Sequence, residues 1–105
     1  MYSREEILSM PAGQNLDELV AIHAMGRENN KTPQGHKPFC PSRDIAAAWE
    51  VVVKIGEVRI EQYVAQGIRK YRVFMNNGGQ VEVCLDDSAP LAISKCALLS
   101  LLKED

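Results

Sequence analysis

The spacing of apolar residues changes at Gly56, and this change restricts the chain to a mixed α+β fold. Before Gly56, apolar side chains recur with the period of one helix face. After it, they alternate with polar residues, as in strands that expose one face. The run Asn76-Asn77-Gly78-Gly79 interrupts this alternation with residues that tolerate positive φ, which predicts a β-hairpin. The sequence therefore predicts helices first and antiparallel strands second.

Boundary signals divide the helical part. Ser3 and Glu6 fit the S-x-x-E capping box, so a short helix is predicted to begin there and to end before Pro11. A second helix is predicted from about Gln14 to Met25, because its apolar positions fall on one face. The residues of that face are Leu16, Leu19, Val20 and His23.

A long loop separates these helices from the third. Residues 27–41 contain many Asn, Pro and Gly residues and little that could pack, and loops of this length are often functional. Ser42 or Asp44 is predicted to cap the third helix, which ends at Gly56. Its predicted apolar stripe consists of Ile45, Ala48, Trp49 and Val52.

The alternating part predicts three strands and a final helix. The strands are Glu57–Gln66, Ile68–Met75 and Gln80–Leu85, and a helix follows from Pro90 to about Lys103. That helix has more apolar residues than one stripe needs, so part of it is expected to face a second subunit. The predicted architecture is one α+β domain over residues 1–105, an antiparallel meander packed with helices in the order α-α-α-β-β-β-α. The third strand is predicted to turn Val81, Val83 and Leu85 inward.

Charge and cysteine content exclude several classes of protein. The net charge is −2, with acidic and basic residues interleaved, which argues against broad nucleic-acid binding. The cysteines Cys40, Cys84 and Cys96 are odd in number and widely spaced, so they do not form a disulfide framework. No stretch approaches the ~18–20 apolar residues of a membrane span. These features predict a soluble protein of a reducing cytosol.

The sequence contains no convincing catalytic constellation. A Cys–His nucleophile would need a third group to orient the histidine, and only His23 and His36 are present. His36 and Cys40, with Cys84 or Cys96, could bind a metal, but no C-x-x-C pair supports this. We therefore predict no catalytic residue, no metal and no cofactor.

The residues Ser42, Arg43 and Asp44 open a helix, where free N–H groups and the helix dipole favour an anion such as phosphate. Ordinary capping is the alternative. Trp49 is either a wall on which a ring stacks or a core anchor. The other candidate ligand-binding residues lie on a basic strand that could equally be a solvated edge, and they are Arg69, Tyr71 and Arg72.

Three segments together resemble the phage ABA-sandwich domain family. They are Met10–Gly26, Pro41–Val52 and Ala89–Leu99, and the middle one is the most specific. The resemblance implies an α/β/α sandwich and a phage origin, but the family has no established common activity. The chain departs from the family pattern in residues 27–39, at Cys40 and in a long first strand.

These features lead to two functional expectations. The first is a non-enzymatic phage protein that sequesters a host nucleotide-derived immune signal in the host bacterial cytoplasm. Such a protein would bind a phosphate-bearing small molecule and form a homo-oligomer. The second is a protein–protein interaction module that inhibits a host protein or serves as a phage accessory factor. Neither expectation requires a membrane, a nucleic acid or a cofactor.

Overall fold

The structure is a computed structural model that describes residues 3–26 and 39–101. Four α-helices, one π-helical segment and three strands make up these residues. Their bounds are α1 Arg4–Ser9, α2 Gln14–Leu19, the π-helical segment Val20–Ala24, α3 Ile45–Ile55, β1 Glu57–Ala65, β2 Ile68–Asn77, β3 Gln80–Asp86 and α4 Ala89–Leu101. The predicted α+β class and element order are confirmed, whereas most of the predicted loop, residues 27–38, lies outside the described residues.

Side-chain caps set the starts of α1 and α3. Ser3 accepts a hydrogen bond from the backbone N–H of Glu6 at 3.2 Å, and Glu6 accepts from the N–H of Ser3, so the capping box is present. Asp44 caps α3 by accepting from the N–H of Ala46 at 3.1 Å. The second predicted helix is present, but its last turn is π-helical, a geometry that neither periodicity nor propensity predicts.

The strands form one antiparallel sheet in the order β1-β2-β3. The predicted hairpin turn is confirmed, because Asn77 pairs with Gln80 and the two intervening glycines have φ of 62° and 96°. The resulting register places Cys84 opposite Val73 and Glu82 opposite Met75. All four side chains are buried on the face that α4 covers.

This register shows that the prediction of which β3 side chains point to the core is wrong. Val81, Val83 and Leu85 are 60%, 43% and 52% exposed, while the intervening Glu82 and Cys84 are buried. The alternation itself is correct, but the buried set is the more polar one. Glu82 can be buried because Arg4 of α1 donates to its carboxylate at 2.7 Å.

Helix α4 is the centre of the domain. It packs on β2 and β3 on one side and on the other helices on its opposite side. Every residue from Ala92 to Ser100 is buried, including Lys95, whose ammonium donates to the Leu8 carbonyl at 2.9 Å and to Asp86 at 3.1 Å. The abundance of apolar residues on α4 therefore serves this chain's own core, and the stretch from Ala92 to Ser100 is not the part of the helix that could face a second subunit.

The second face of the sheet, which we call the outer face, is not covered by any helix in the described ranges. The layers run from the sheet to α4 and then to the remaining helices, so the sandwich implied by the resemblance is open on this side. Strand alternation and register assign the side chains of this face. They are Glu57, Arg59, Glu61, Tyr63 and Ala65 on β1, Ile68, Lys70, Arg72, Phe74 and Asn76 on β2, and Val81, Val83 and Leu85 on β3.

Candidate functional site

The predicted anion site at the start of α3 is occupied by contacts within the chain. Ser42 is buried, its N–H donates to Asp17 at 2.7 Å, and its hydroxyl accepts from the N–H of Gly13 at 3.0 Å. Asp44 places its own carboxylate at the helix N-terminus. An external anion would have to compete with that carboxylate for the same N–H groups.

Arg43 also contacts Asp17, the residue that binds Ser42. Its guanidinium donates to one carboxylate oxygen of Asp17 at 2.8 and 3.1 Å and to the Cys40 sulfur at 3.1 Å. The hydrogen bonds and the charge of Asp17 raise the pKa of Arg43. Because Asp17 is completely buried, this arginine supplies the countercharge that the carboxylate requires. The ligand-binding roles of Ser42, Arg43 and Asp44 remain predictions, and each residue already has a structural role.

Trp49 lies on the surface of α3. It is 55% exposed and continues a stripe with Ile45 and Val53, which are 53% and 69% exposed. Of the two interpretations of Trp49, the core anchor is therefore wrong. The predicted stripe is rotated, because the residues of α3 that reach the core are Ala47, Ala48, Val51 and Val52.

The three predicted residues of β2 lie on opposite sides of the sheet. Arg69 and Tyr71 share the face of Val73 but stand near the end of the hairpin, where Arg69 is exposed and Tyr71 is half-buried. Arg72 points to the outer face. The strand therefore does not combine all three side chains into one site.

The outer face contains a group of stacked side chains, which we call the arginine–aromatic group: Arg59, Tyr63, Arg72 and Phe74. The guanidinium of Arg59 lies 4.6 Å from the centre of the Phe74 ring. The guanidinium of Arg72 lies 5.6 Å from the same ring and 5.7 Å from that of Tyr63. These distances fall within cation–π range. Of the four residues, only Arg72 was among the predicted site residues.

Charge on this group is partly balanced by acidic neighbours. Arg72 forms an ion pair with Glu61 at 3.2 Å, and both side chains remain nearly half exposed. Beside the group, a shallow open depression of about 380 Å³ lies at the start of β1, with Arg59, Phe74 and Val81 among its lining residues. A flat ligand could lie against the rings here while its charged groups meet the guanidinium N–H groups.

Sequence reasoning missed Arg59, Tyr63 and Phe74 because they stack only once β1 and β2 are in register. Arg59 is directly opposite Phe74, and Glu61 is directly opposite Arg72. The signal that could have found them is the Gln66-Gly67 turn, where both residues have positive φ and Ala65 pairs with Ile68. Pairing β1 with β2 one residue at a time, outward from that turn, gives every β1–β2 pair on this face.

The described histidine and cysteine residues lie outside the arginine–aromatic group. No group of three or more His, Cys, Asp or Glu residues there could hold a metal ion. Cys84 and Cys96 are buried together, and the Cys84 thiol and burial raise the pKa of Cys96. His23 is exposed rather than on the apolar face, and His36 lies outside the described residues. No helix among those searched is long and apolar enough to span a membrane.

Comparison with known proteins agrees with the fold. The family model of the phage ABA sandwich domain matches residues 18–98. The chain is also similar to a phage protein from Bacillus cereus ATCC 14579, known from a crystal structure, with a TM-score of 0.68 and 27% identity over 88% of each chain. No curated protein matches the sequence. The chain therefore belongs to the phage ABA sandwich domain family.

Proposed function

We propose that this phage protein binds and sequesters a phosphate-bearing, nucleotide-type small molecule without altering it chemically. The arginine–aromatic group on the outer face carries the proposal, because Arg59 and Arg72 both lie over the ring of Phe74. Guanidinium groups pair with phosphate through two parallel hydrogen bonds. Aromatic and guanidinium planes also stack on nucleobases. The outer face thus offers partners for both halves of a nucleotide.

Exposure supports a binding role for these side chains. The side chain of Arg72 is 47% exposed although it contacts Glu61, so the ion pair does not bury it. Surface cation–π pairs contribute only about 0.5–1 kcal/mol, so the arginines can shift toward a ligand at small cost. Arg72 belongs both to this site and to the site predicted from the sequence. The other predicted residues lie at the entrance of α3, on α3 itself and on the helix-facing side of β2.

Phage membership supports the identity of the ligand. A phage gains from a protein that removes a small molecule made by its host for defence, and nucleotide-derived signals carry the phosphate and base that this surface fits. The described residues contain no group of three or more His, Cys, Asp or Glu residues that could hold a metal ion, which favours binding over metal-assisted turnover. A protein of this kind would act in the host cytoplasm, where such a signal would be met.

Thermal denaturation with a ligand panel tests the proposal. The panel consists of cyclic dinucleotides and cyclic ADP-ribose derivatives, with the matching nucleosides as phosphate-free controls. A ligand at 100 times its Kd should add about 2.7 kcal/mol to the free energy of unfolding, which raises Tm by several degrees. The ligand should be recovered intact after the protein is heat-denatured. The absence of a shift across the panel would reject the proposal, and conversion of the ligand would indicate an enzyme.

A protein–protein module is the second candidate, and the exposed stripe of Ile45, Trp49 and Val53 on α3 favours it. Aromatic side chains on such apolar stripes are the usual anchors of interfaces. Under this alternative, pull-down from host lysate should recover one specific host protein, and Trp49→Ala should abolish its recovery. The same substitution should leave a nucleotide-induced rise in Tm unchanged, because Trp49 does not belong to the arginine–aromatic group.

A further inference from the structure

We propose that two copies of this chain pair through the free edge of β3 and form one continuous six-stranded antiparallel sheet. β3 is an outer strand of the sheet, and no described strand pairs with its second edge. Such an edge presents unpaired backbone N–H and C=O groups, which a strand from another chain can satisfy. This inference does not depend on the ligand proposed above.

The two edges of the sheet differ in their protection. On the outer face, β1 presents the charged residues Glu57, Arg59 and Glu61, which resist edge-to-edge pairing. β3 presents Val81, Val83 and Leu85 on the same face, while its charged residues Glu82 and Asp86 lie on the opposite face and pair with Arg4 and Lys95. Unprotected edges of this kind are usual sites of strand addition. Of the two edges, β3 is the one suited to a partner.

The pattern of charges on β3 specifies a second copy of the same strand, in one register. When Val83 lies opposite Val83 of the second copy, Val81 lies opposite Leu85 and Glu82 lies opposite Cys84. A shift of two residues in one direction brings Glu82 opposite Glu82. The same shift in the other direction brings Glu82 opposite Asp86. Because like charges directly opposite each other are destabilising, the register centred on Val83 is the one of these three that avoids facing carboxylates, and it pairs the whole of β3 from Gln80 to Asp86.

The same register gives the joined outer face an apolar centre. Within one copy, Arg59, Phe74 and Val83 form a row across the three strands. Around a two-fold axis at Val83, this row continues through the second copy in reverse order. The exposed apolar residues of β3 then lie at the axis, and the charged residues of β1 lie at the two far edges. The cross-strand contacts of Val83 with Val83 and of Val81 with Leu85 then stabilise the pairing at the axis.

A charge introduced at position 83, which lies on the proposed two-fold axis, tests the pairing. Light scattering coupled to gel filtration should show a dimer of the unmodified chain. Val83→Lys and Val83→Glu should each raise the dimer dissociation constant at least about tenfold, because two like charges then face each other. An equimolar mixture of the two variants should restore the dimer. Val53→Lys, at a 69% exposed position on α3, should have no effect.

Cysteine cross-linking gives a second measurement that does not depend on weakening the dimer. Directly opposite residues of antiparallel strands have Cα atoms about 4.5–5.5 Å apart, which suits a disulfide, so Val83→Cys should form covalent dimers under mild oxidation. Val81→Cys should not, because the register separates its two copies by about 13 Å. A chain that stays monomeric at all concentrations, a dimer that survives both charged variants, or equal cross-linking at Val81 and Val83 would overturn the proposal.

Discussion

The fully buried carboxylate of Asp17 holds the exposed guanidinium of Arg43 at 2.8 Å. The other oxygen of that carboxylate accepts a hydrogen bond from the buried N–H of Ser42 at 2.7 Å. One side chain of α2 thus satisfies two consecutive residues at the entrance of α3. A buried charge without such contacts would cost several kcal/mol, so the three residues function as one structural unit.

Asp17→Ala should lower the free energy of unfolding by about 2–3 kcal/mol, because it removes the ion pair and leaves the Ser42 N–H without its acceptor. Asp17→Asn should cost less, since an amide oxygen can still accept from Ser42. Urea denaturation with linear extrapolation measures both losses. As a control, Asp87→Ala removes the exposed ion pair with Lys70 and should leave the stability unchanged within error. Equal effects of Asp17→Ala and Asp87→Ala would contradict the structural role of Asp17.

The orientation of α3 can be tested with two valines that are two positions apart. Val51 is completely buried, so Val51→Ala should cost about 2–3 kcal/mol through lost burial and the cavity left behind. Val53 is 69% exposed, and Val53→Ala should be neutral or should stabilise the helix by a few tenths of a kcal/mol, because alanine is the better helix former. Thermal and urea denaturation of the two variants make the comparison. The reverse order of stabilities would show that α3 faces the core differently.

Gly56 ends α3 with φ of +97°, a conformation that L-residues with a side chain rarely adopt. A Cβ at this position would meet nothing within 4 Å, so any cost of Gly56→Ala arises from the backbone alone. We expect a loss of about 1–2 kcal/mol in the free energy of unfolding. Gly13→Ala is the matched control, since Gly13 has extended backbone and equal space, and it should be nearly neutral. Denaturation curves with equal losses for the two glycines would refute the conformational explanation.

For a ligand found in the panel, Arg59→Ala and Arg72→Ala should each weaken binding by about tenfold or more, because each removes a charge-assisted contact with phosphate. Phe74→Leu should reduce stacking while it keeps most of the apolar volume at this position. Isothermal titration calorimetry measures the affinities. Arg69→Ala, on the opposite side of the sheet, is the control that should retain full affinity. If Arg69→Ala weakened binding and Arg59→Ala did not, the site would lie elsewhere.

The fold could be predicted from the sequence because its signals are local. The S-x-x-E box at Ser3, the change of period at Gly56 and the Gly78-Gly79 turn each act over a few residues, and each corresponds to an observed boundary. The burial of α4 on both sides is not local, because an apolar helix has the same sequence pattern at an interface and in a core. The prediction of which β3 side chains point inward was wrong for a related reason. Glu82 is buried only because Arg4, 78 residues away, binds it.

The candidate site was less predictable than the fold. Arg43 has the sequence context of an anion-binding residue, but its contact with Asp17 joins positions 26 residues apart. The stacking of Arg59 on Phe74 likewise depends on strand register, which a single residue of slippage would abolish. Arg72 was identified because it belongs to a local run of cations. Contacts between distant positions, rather than residue types, therefore decide which charged side chains are available to a ligand.

The position of α4 has a consequence for the order in which this chain can fold. Every described element that packs on this helix precedes it in the sequence, so during synthesis the sheet and the earlier helices emerge before the surface that buries them. Contacts between distant segments form slowly, because the loop-closure entropy must be overcome first. Until α4 is complete, the apolar side of β2 and β3 is exposed to other nascent chains and to chaperones. Folding of this domain should therefore be completed in one cooperative step when α4 docks.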